Sequence, residues 1–109
     1  DRKAGLIYLS KKDYMDFNIQ RGDTEGIVNY LLRLDIVNVA GFISEQPSIV
    51  KVSLRSKGDF SVEKMAKEYF RGGGHKNASG GALYSSLKTV ISTFEEATEK
   101  YKTEIINSY

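Results

Sequence analysis

The chain has no cysteine, one proline, one histidine and a net charge of only +2. Without cysteine it holds no disulfide and no thiolate metal site, which accords with a cytoplasmic protein. One histidine, His75, excludes a histidine-rich metal centre. No Asp/His cluster with ligand spacing occurs, since Asp13 and Asp16 stand alone on a short helical stretch. We therefore expect no metal and no cofactor in this chain. Nor does a Ser-His-Asp arrangement or a cysteine nucleophile present itself. The 16 basic and 14 acidic residues are spread evenly, so charge alone does not argue for non-specific nucleic-acid binding. Recognition of a phosphate would have to be local. No apolar run is long enough to cross a bilayer and no charged-then-apolar leader opens the chain, so no membrane partner is expected. At 109 residues the chain is one domain, residues 1–109, with little core to spare. Its abrupt start at Asp1-Arg2-Lys3-Ala4-Gly5, running at once into a strand-like segment, predicts a domain excised from a longer polypeptide.

Against this plain background, glycine is concentrated in one place. Arg71-Gly72-Gly73-Gly74-His75-Lys76-Asn77-Ala78-Ser79-Gly80-Gly81 holds five of the ten glycines and the only histidine. A globular domain tolerates such a run where the backbone must turn tightly or approach something closely. Successive N–H groups without side chains can converge on an anion. An imidazole and an ammonium, His75 and Lys76, follow directly. The stretch reads as a phosphate-handling loop.

The rest of the chain alternates strand-like and helix-like segments. Leu6 to Leu9 reads as a strand and Lys11 to Phe17 as one or two helical turns. Asp23 or Thr24 caps a helix whose stripe is Ile27, Val28, Leu31, Leu32 and Leu34, ended by Asp35. Ile36 to Ser44 and Ile49 to Ser56 are strands joined by a turn at Glu45-Gln46-Pro47-Ser48. The second alternates cleanly: Val50, Val52 and Leu54 face one way, and Lys51, Ser53 and Arg55 the other. The wet face is either ordinary surface or the floor of a polar groove. Ser61 caps a helix to Phe70, with Phe60 stapled onto Met65, and the triple glycine ends it. Ala82-Leu83-Tyr84 completes a short strand. Ser85 or Ser86 caps one long final helix carrying Leu87, Val90, Ile91, Phe94, Ala97, Tyr101 and Ile105. Most aromatics belong to the core, with Tyr8, Tyr14 and Tyr84 undecided between core and base stacking. The fold class is α/β: a single domain with a mixed sheet of about four or five strands and helices packed mainly on one face.

Two segments carry the site reading. One is the glycine stretch; the other is Arg55-Ser56 at a strand end, where a guanidinium suits bidentate phosphate contact. Val52-Ser53-Leu54-Arg55-Ser56-Lys57, then a helix, then Gly72-Gly73-Gly74-His75-Lys76-Asn77-Ala78-Ser79-Gly80, resembles the DHH-associated C-terminal domain of DHH-family phosphoesterases. Within that superfamily the chain is most similar to the branch of oligoribonucleases and adenosine 3′,5′-bisphosphate phosphatases related to exopolyphosphatases. Asp23-Thr24-Glu25-Gly26-Ile27-Val28-Asn29-Tyr30 resembles the same branch. The resemblance runs from about Gly5 to Leu83 and leaves the final helix aside.

The resemblance implies a bacterial enzyme of two lobes. An N-terminal DHH lobe, outside this chain, would carry the Asp-His-His motif and two manganese (or magnesium) ions. This chain would close over the cleft and present a short RNA or nucleotide. By position, Arg55 and Ser56 would hold the phosphate or nucleotide, and Gly72, Gly73 and Gly74 would donate N–H groups to it. His75 would contribute to catalysis by stabilising charge on the scissile phosphate, with Lys76, Asn77, Ser79 and Gly80 in the same substrate-binding loop. The isolated chain would then bind weakly and turn nothing over. It departs from the family pattern at Arg71, where a small residue is usual, and in the short hairpin at Glu45 to Ser48. Three alternatives stand beside this reading. One is a nucleic-acid-binding module of a single-strand exonuclease or tRNA-editing protein. Another is the substrate domain of a cyclic-dinucleotide phosphodiesterase. The third, concerning assembly, is a homodimer contact through Tyr101 and Ile105 on the final helix.

Overall fold

The computed structural model describes residues 3–13, 21–34 and 37–108. Among the described residues five strands, β1 (Ala4–Leu9), β2 (Val39–Glu45), β3 (Val50–Ser56), β4 (Gly73–His75) and β5 (Ala78–Leu83), form one mixed sheet. Their order is β1-β2-β3-β5-β4. β1 runs parallel to β2, and the other neighbours are antiparallel. Beside them, among the described residues, lie α1 (Arg21–Leu32), α2 (Val62–Tyr69), α3 (Leu87–Lys100) and α4 (Lys102–Ile106), with helical backbone also at 11–13.

The alternation read from β3 sets the two faces of the sheet. Val50, Val52, Leu54 and Ser56 are buried, while Lys51 is exposed and Ser53 and Arg55 are half-buried. Val39, Ile43, Val52 and Leu54 meet Met65, Phe70, Val90, Phe94, Ala97 and Ile105 in the main core. Removing such residues from water is the dominant stabilising effect. Gly41 lets the Phe94 ring lie against the sheet, since a Cβ there would stand 2.4 Å from the ring. α1 packs on the opposite face, where Val28 and Leu31 join Ile7, Leu9, Ala40 and Phe42. It lies over β2, flanked by β1 and β3. Helices thus lie mainly, though not wholly, on one face.

Several sequence expectations change at this level. α1 starts at Arg21, so Asp23 lies inside the helix rather than capping it. The strand placed from Ile36 begins at Val39; Ile36, Tyr14, Asp16 and the rest of the stretch to Phe17 beyond Asp13 lie outside the described residues. Ser10 and Asp13 exchange reciprocal bonds, each backbone N–H reaching the other's side-chain oxygen at 2.9 and 3.1 Å, as a capping box does. Ser61 sits at the N-cap of α2 but makes no side-chain cap bond. The first helical N–H, on Val62, goes instead to the Lys76 carbonyl at 2.8 Å. Ser86 does cap α3, accepting from the Thr89 N–H at 3.1 Å. The final helix is two, broken at Tyr101. Tyr101 and Ile105 are buried in this chain's own core, so neither side chain is offered to a second copy.

A polar clamp joins α2 to the end of α3. The Tyr101 hydroxyl donates to one oxygen of the Glu68 carboxylate and the Lys100 ammonium to the other. The carboxylate bond, reinforced by burial, pushes the Tyr101 phenol up from 10.0 to about 12. Hydrogen bonds from Lys100 and Tyr101 hold Glu68 below the usual carboxylate range, and the bond to Glu68 holds Lys100 above the usual ammonium range. The folded state therefore keeps the Tyr101 and Lys100 protons longer than the unfolded chain does. Their stabilisation is complete below about pH 10 and is lost as pH rises toward 12. The Glu68 contribution has the opposite sense, disappearing as pH falls through the carboxylate range. Urea unfolding midpoints should therefore fall between pH 10 and pH 11.5, and Glu68→Gln should flatten that fall. An unchanged slope in the variant would contradict the clamp.

Candidate functional site

The glycine-rich stretch expected as a loop is a β-hairpin. β4 and β5 flank a two-residue turn at Lys76-Asn77. Its residues are poor strand formers, and the reason glycine is tolerated is the proximity of other backbone. A Cβ at Gly72 would lie 1.8 Å from the Gly80 carbonyl oxygen. One at Gly81 would lie 2.2 Å from the Phe70 carbonyl oxygen, and one at Gly80 2.8 Å from that of Val52. Gly74 has φ 144 and would bring a Cβ to 2.8 Å from the Ala78 oxygen. Gly73 differs, since its Cβ would meet only the flexible Lys67 Cε, at 3.9 Å. No demand of the fold explains a bare Cα there.

The helix terminator also differs from expectation. The left-handed residue after α2 is Arg71, with φ 52, not a glycine. Placing a side chain in that conformation costs roughly 1–2 kcal/mol. The Gly72 N–H is spent on the Ala66 carbonyl at 3.0 Å, so three converging glycine amides do not form. β4 is instead an edge strand, in which alternate N–H groups point away from the ladder.

Register decides which expected residues meet. Ala40, Arg55, Ala78 and His75 occupy one row across β2, β3, β5 and β4. Directly opposed residues share a face, so Arg55 and His75 project from the same side, one strand between them. Strand spacing puts their backbones roughly 10 Å apart, within joint reach of one phosphate-bearing ligand. The next row is Phe42, Ser53, Gly80 and Gly73, and the one beyond is Ser44, Lys51 and Ala82. His75 is exposed, and Arg55 is half-buried with Nη1 donating to the Leu54 carbonyl at 2.9 Å. Between them β5 offers only Ala78, Gly80 and Ala82 on this face. On this face α1 reaches β3; among the described residues no helix packs on β5 and β4 from this side, and none of the strand residues facing it in this half is acidic.

The remaining expected site residues sit elsewhere. Ser56 is buried on the core face, donating to the Phe60 carbonyl at 2.8 Å and accepting from Asn77 Nδ2 at 2.9 Å. Asn77 Nδ2 also reaches the Gly58 carbonyl at 3.2 Å, and its own carbonyl accepts the Ser56 N–H at 3.1 Å. Ser79 is buried and its Oγ donates to the His75 carbonyl at 2.6 Å. These three side chains fix the hairpin to β3 and the turn before α2, and so hold His75 in place. Lys76 is exposed, 3.5 Å from Asp59. The Arg55–His75 row is a face, not an enclosed pocket. A cleft of about 420 Å³ lies at the other end of the sheet, lined by residues that include Lys11, Glu45, Pro47 and Tyr84. Of the undecided tyrosines, Tyr8 and Tyr84 are exposed. The sequence reading left Gly73 undistinguished from its neighbours; its one signal is register against Gly80. Among the described residues no three His, Asp or Glu side chains come together as a metal site.

A family model for the DHHA1 domain matches residues 6–105. The chain belongs to the DHHA1 family. As a DHHA1 domain it is 37% identical over 83 residues to a probable bifunctional oligoribonuclease and PAP phosphatase of Streptococcus mutans. That match takes in 75% of this chain and 26% of the relative. An exopolyphosphatase-related protein from Bacteroides fragilis superposes with TM-score 0.92 at 40% identity, over 97% of this chain and 31% of that one. RecJ from Thermus thermophilus shares the fold at TM-score 0.63 and 17% identity, over 94% of this chain and 14% of its own. The DHHA1 domain thus spans about a quarter to a third of the length of these two relatives. No helix among the described residues is long and apolar enough to cross a membrane.

Proposed function

We propose that this chain is the substrate-binding domain of a larger, cytoplasmic DHH-family phosphoesterase that hydrolyses short oligoribonucleotides, adenosine 3′,5′-bisphosphate, or both. The observation that carries the reading is the single cross-strand row holding Arg55 and His75 on the open face. Arg55 anchors a phosphate through its guanidinium. His75 donates toward the scissile phosphate, where a donor is most effective if it meets charge developing in the transition state. Gly73 lets the ligand approach the edge-strand backbone, and the outward N–H groups of β4 supply further donors. Ser56, Asn77 and Ser79 act through the hairpin they position; Lys76 is a peripheral cation. The DHHA1 domain itself offers no cluster able to hold two divalent ions among its described residues. Paired manganese or magnesium would belong to the N-terminal DHH domain, where it would supply an activated water.

The test is a phosphatase assay of this chain with manganese, on adenosine 3′,5′-bisphosphate and a 5′-phosphorylated dinucleotide, beside the full-length protein. Turnover is expected only from the full-length protein; turnover by the chain would overturn the non-catalytic assignment. Affinity for a dinucleotide against a twenty-mer separates this reading from a long-strand binding module. Length-independent binding beyond a few nucleotides supports the short-substrate reading, whereas steadily tighter binding with length supports the alternative.

A further inference from the structure

From the open face we infer that Lys51 is a second phosphate contact, one that lets the domain grip a chain of nucleotides in a way it cannot grip a single one. The inference rests on the proposed role of Arg55. Lys51 lies on β3 four residues from Arg55, hence on the same face. Antiparallel rise separates the two backbones by roughly 13 Å. Strand side chains stand roughly perpendicular to the sheet, so the two charges keep about that spacing, which suits phosphates separated along a short extended strand better than two on one ribose. Lys51 is exposed, and among the described residues no carboxylate holds its ammonium. Ser53, between the two, can donate from its hydroxyl. The neighbouring row on β5 is Ala82, Gly80 and Ala78, so no bulky side chain interrupts the path. The described strand residues of this half of the face carry the charges of Lys51 and Arg55 and no acidic residue, which is the complement of a polyanion. The path runs along β3 from the Arg55–His75 row toward the β2–β3 hairpin. Its occupant is a short single-stranded oligonucleotide, with the end to be processed at His75.

The experiment titrates wild type, Lys51→Ala and Arg55→Ala with adenosine 3′,5′-bisphosphate and with a 5′-phosphorylated tetraribonucleotide, following amide resonances at several salt concentrations. Lys51→Ala should weaken the tetranucleotide by roughly five-fold and lower its salt slope by about one, leaving the bisphosphate unchanged. Arg55→Ala should weaken both ligands. If Lys51→Ala leaves the tetranucleotide unchanged, or weakens both ligands equally, the second contact is wrong while the Arg55 reading stands. If Arg55→Ala changes neither ligand, or wild type binds neither, the reading beneath it fails as well.

Discussion

Gly72→Ala is expected to lower the stability of this domain by about 3 kcal/mol or more, whereas Gly73→Ala is expected to cost almost nothing. The two neighbours face different surroundings. At Gly72 the new methyl would lie 1.8 Å from the Gly80 oxygen and 2.6 Å from the Gly81 Cα, both backbone atoms that cannot swing aside. Relief would require separating the C-terminal end of α2 from β5, and with it the Gly72 N–H bond to Ala66 at 3.0 Å. At Gly73 the nearest atom is the end of a flexible lysine at 3.9 Å. For a domain of this size the Gly72 effect corresponds to a drop in melting temperature of more than about 10 °C. Thermal unfolding of the two variants side by side is the check. Equal melting temperatures would mean that the glycines do not divide into one kept for the fold and one kept open to a ligand.

Arg55→Ala and His75→Ala are each expected to cut activity of the full-length protein about ten-fold or more, with melting temperatures close to wild type. Losing a charge-assisted hydrogen bond costs about 1.5–3 kcal/mol, and 1.36 kcal/mol is a factor of ten in rate. Neither side chain is committed to the core. His75 is exposed, and the Arg55 guanidinium donates to the carbonyl of the preceding residue. If Arg55 grips the substrate in ground and transition state alike, its loss raises KM. If His75 engages charge that develops only during reaction, its loss lowers kcat. Wild-type kinetics in both variants would remove the proposed roles. Asn77→Ala is a useful contrast: its side chain ties Ser56 and Gly58, so its loss should register in stability before it registers in rate.

Much of the fold was legible because it follows from period. The alternation Val50, Val52, Leu54 identified both β3 and the face that became core. The stripes of α2 and α3 named Met65, Phe70, Val90 and Phe94, all buried in the structure. Where the reading differed, local pattern carried no signal. The helix break at Tyr101 is invisible because Ala97, Tyr101 and Ile105 keep their apolar spacing across it. The β4–β5 hairpin was hidden because glycine, alanine and serine are weak strand formers; what places them in a sheet is contact with the Phe70 and Val52 carbonyls, distant in sequence. The candidate site divides in the same way. Arg55 and His75 stood out by residue type and setting. Their common face follows only from the register of three strands, which also turns Ser56 and Ser79 inward. Alternation alone foretold half of that: Ser56 follows Arg55 and so faces the core.

The most direct test of the account is to map amide chemical-shift changes on this chain as adenosine 3′,5′-bisphosphate is added. The largest changes should fall on Arg55, Gly73, His75 and Ala78, with α3 and α4 undisturbed. Changes centred instead on the cleft at Glu45, Gln46, Ser48 and Tyr84, with none in the Arg55–His75 row, would contradict it.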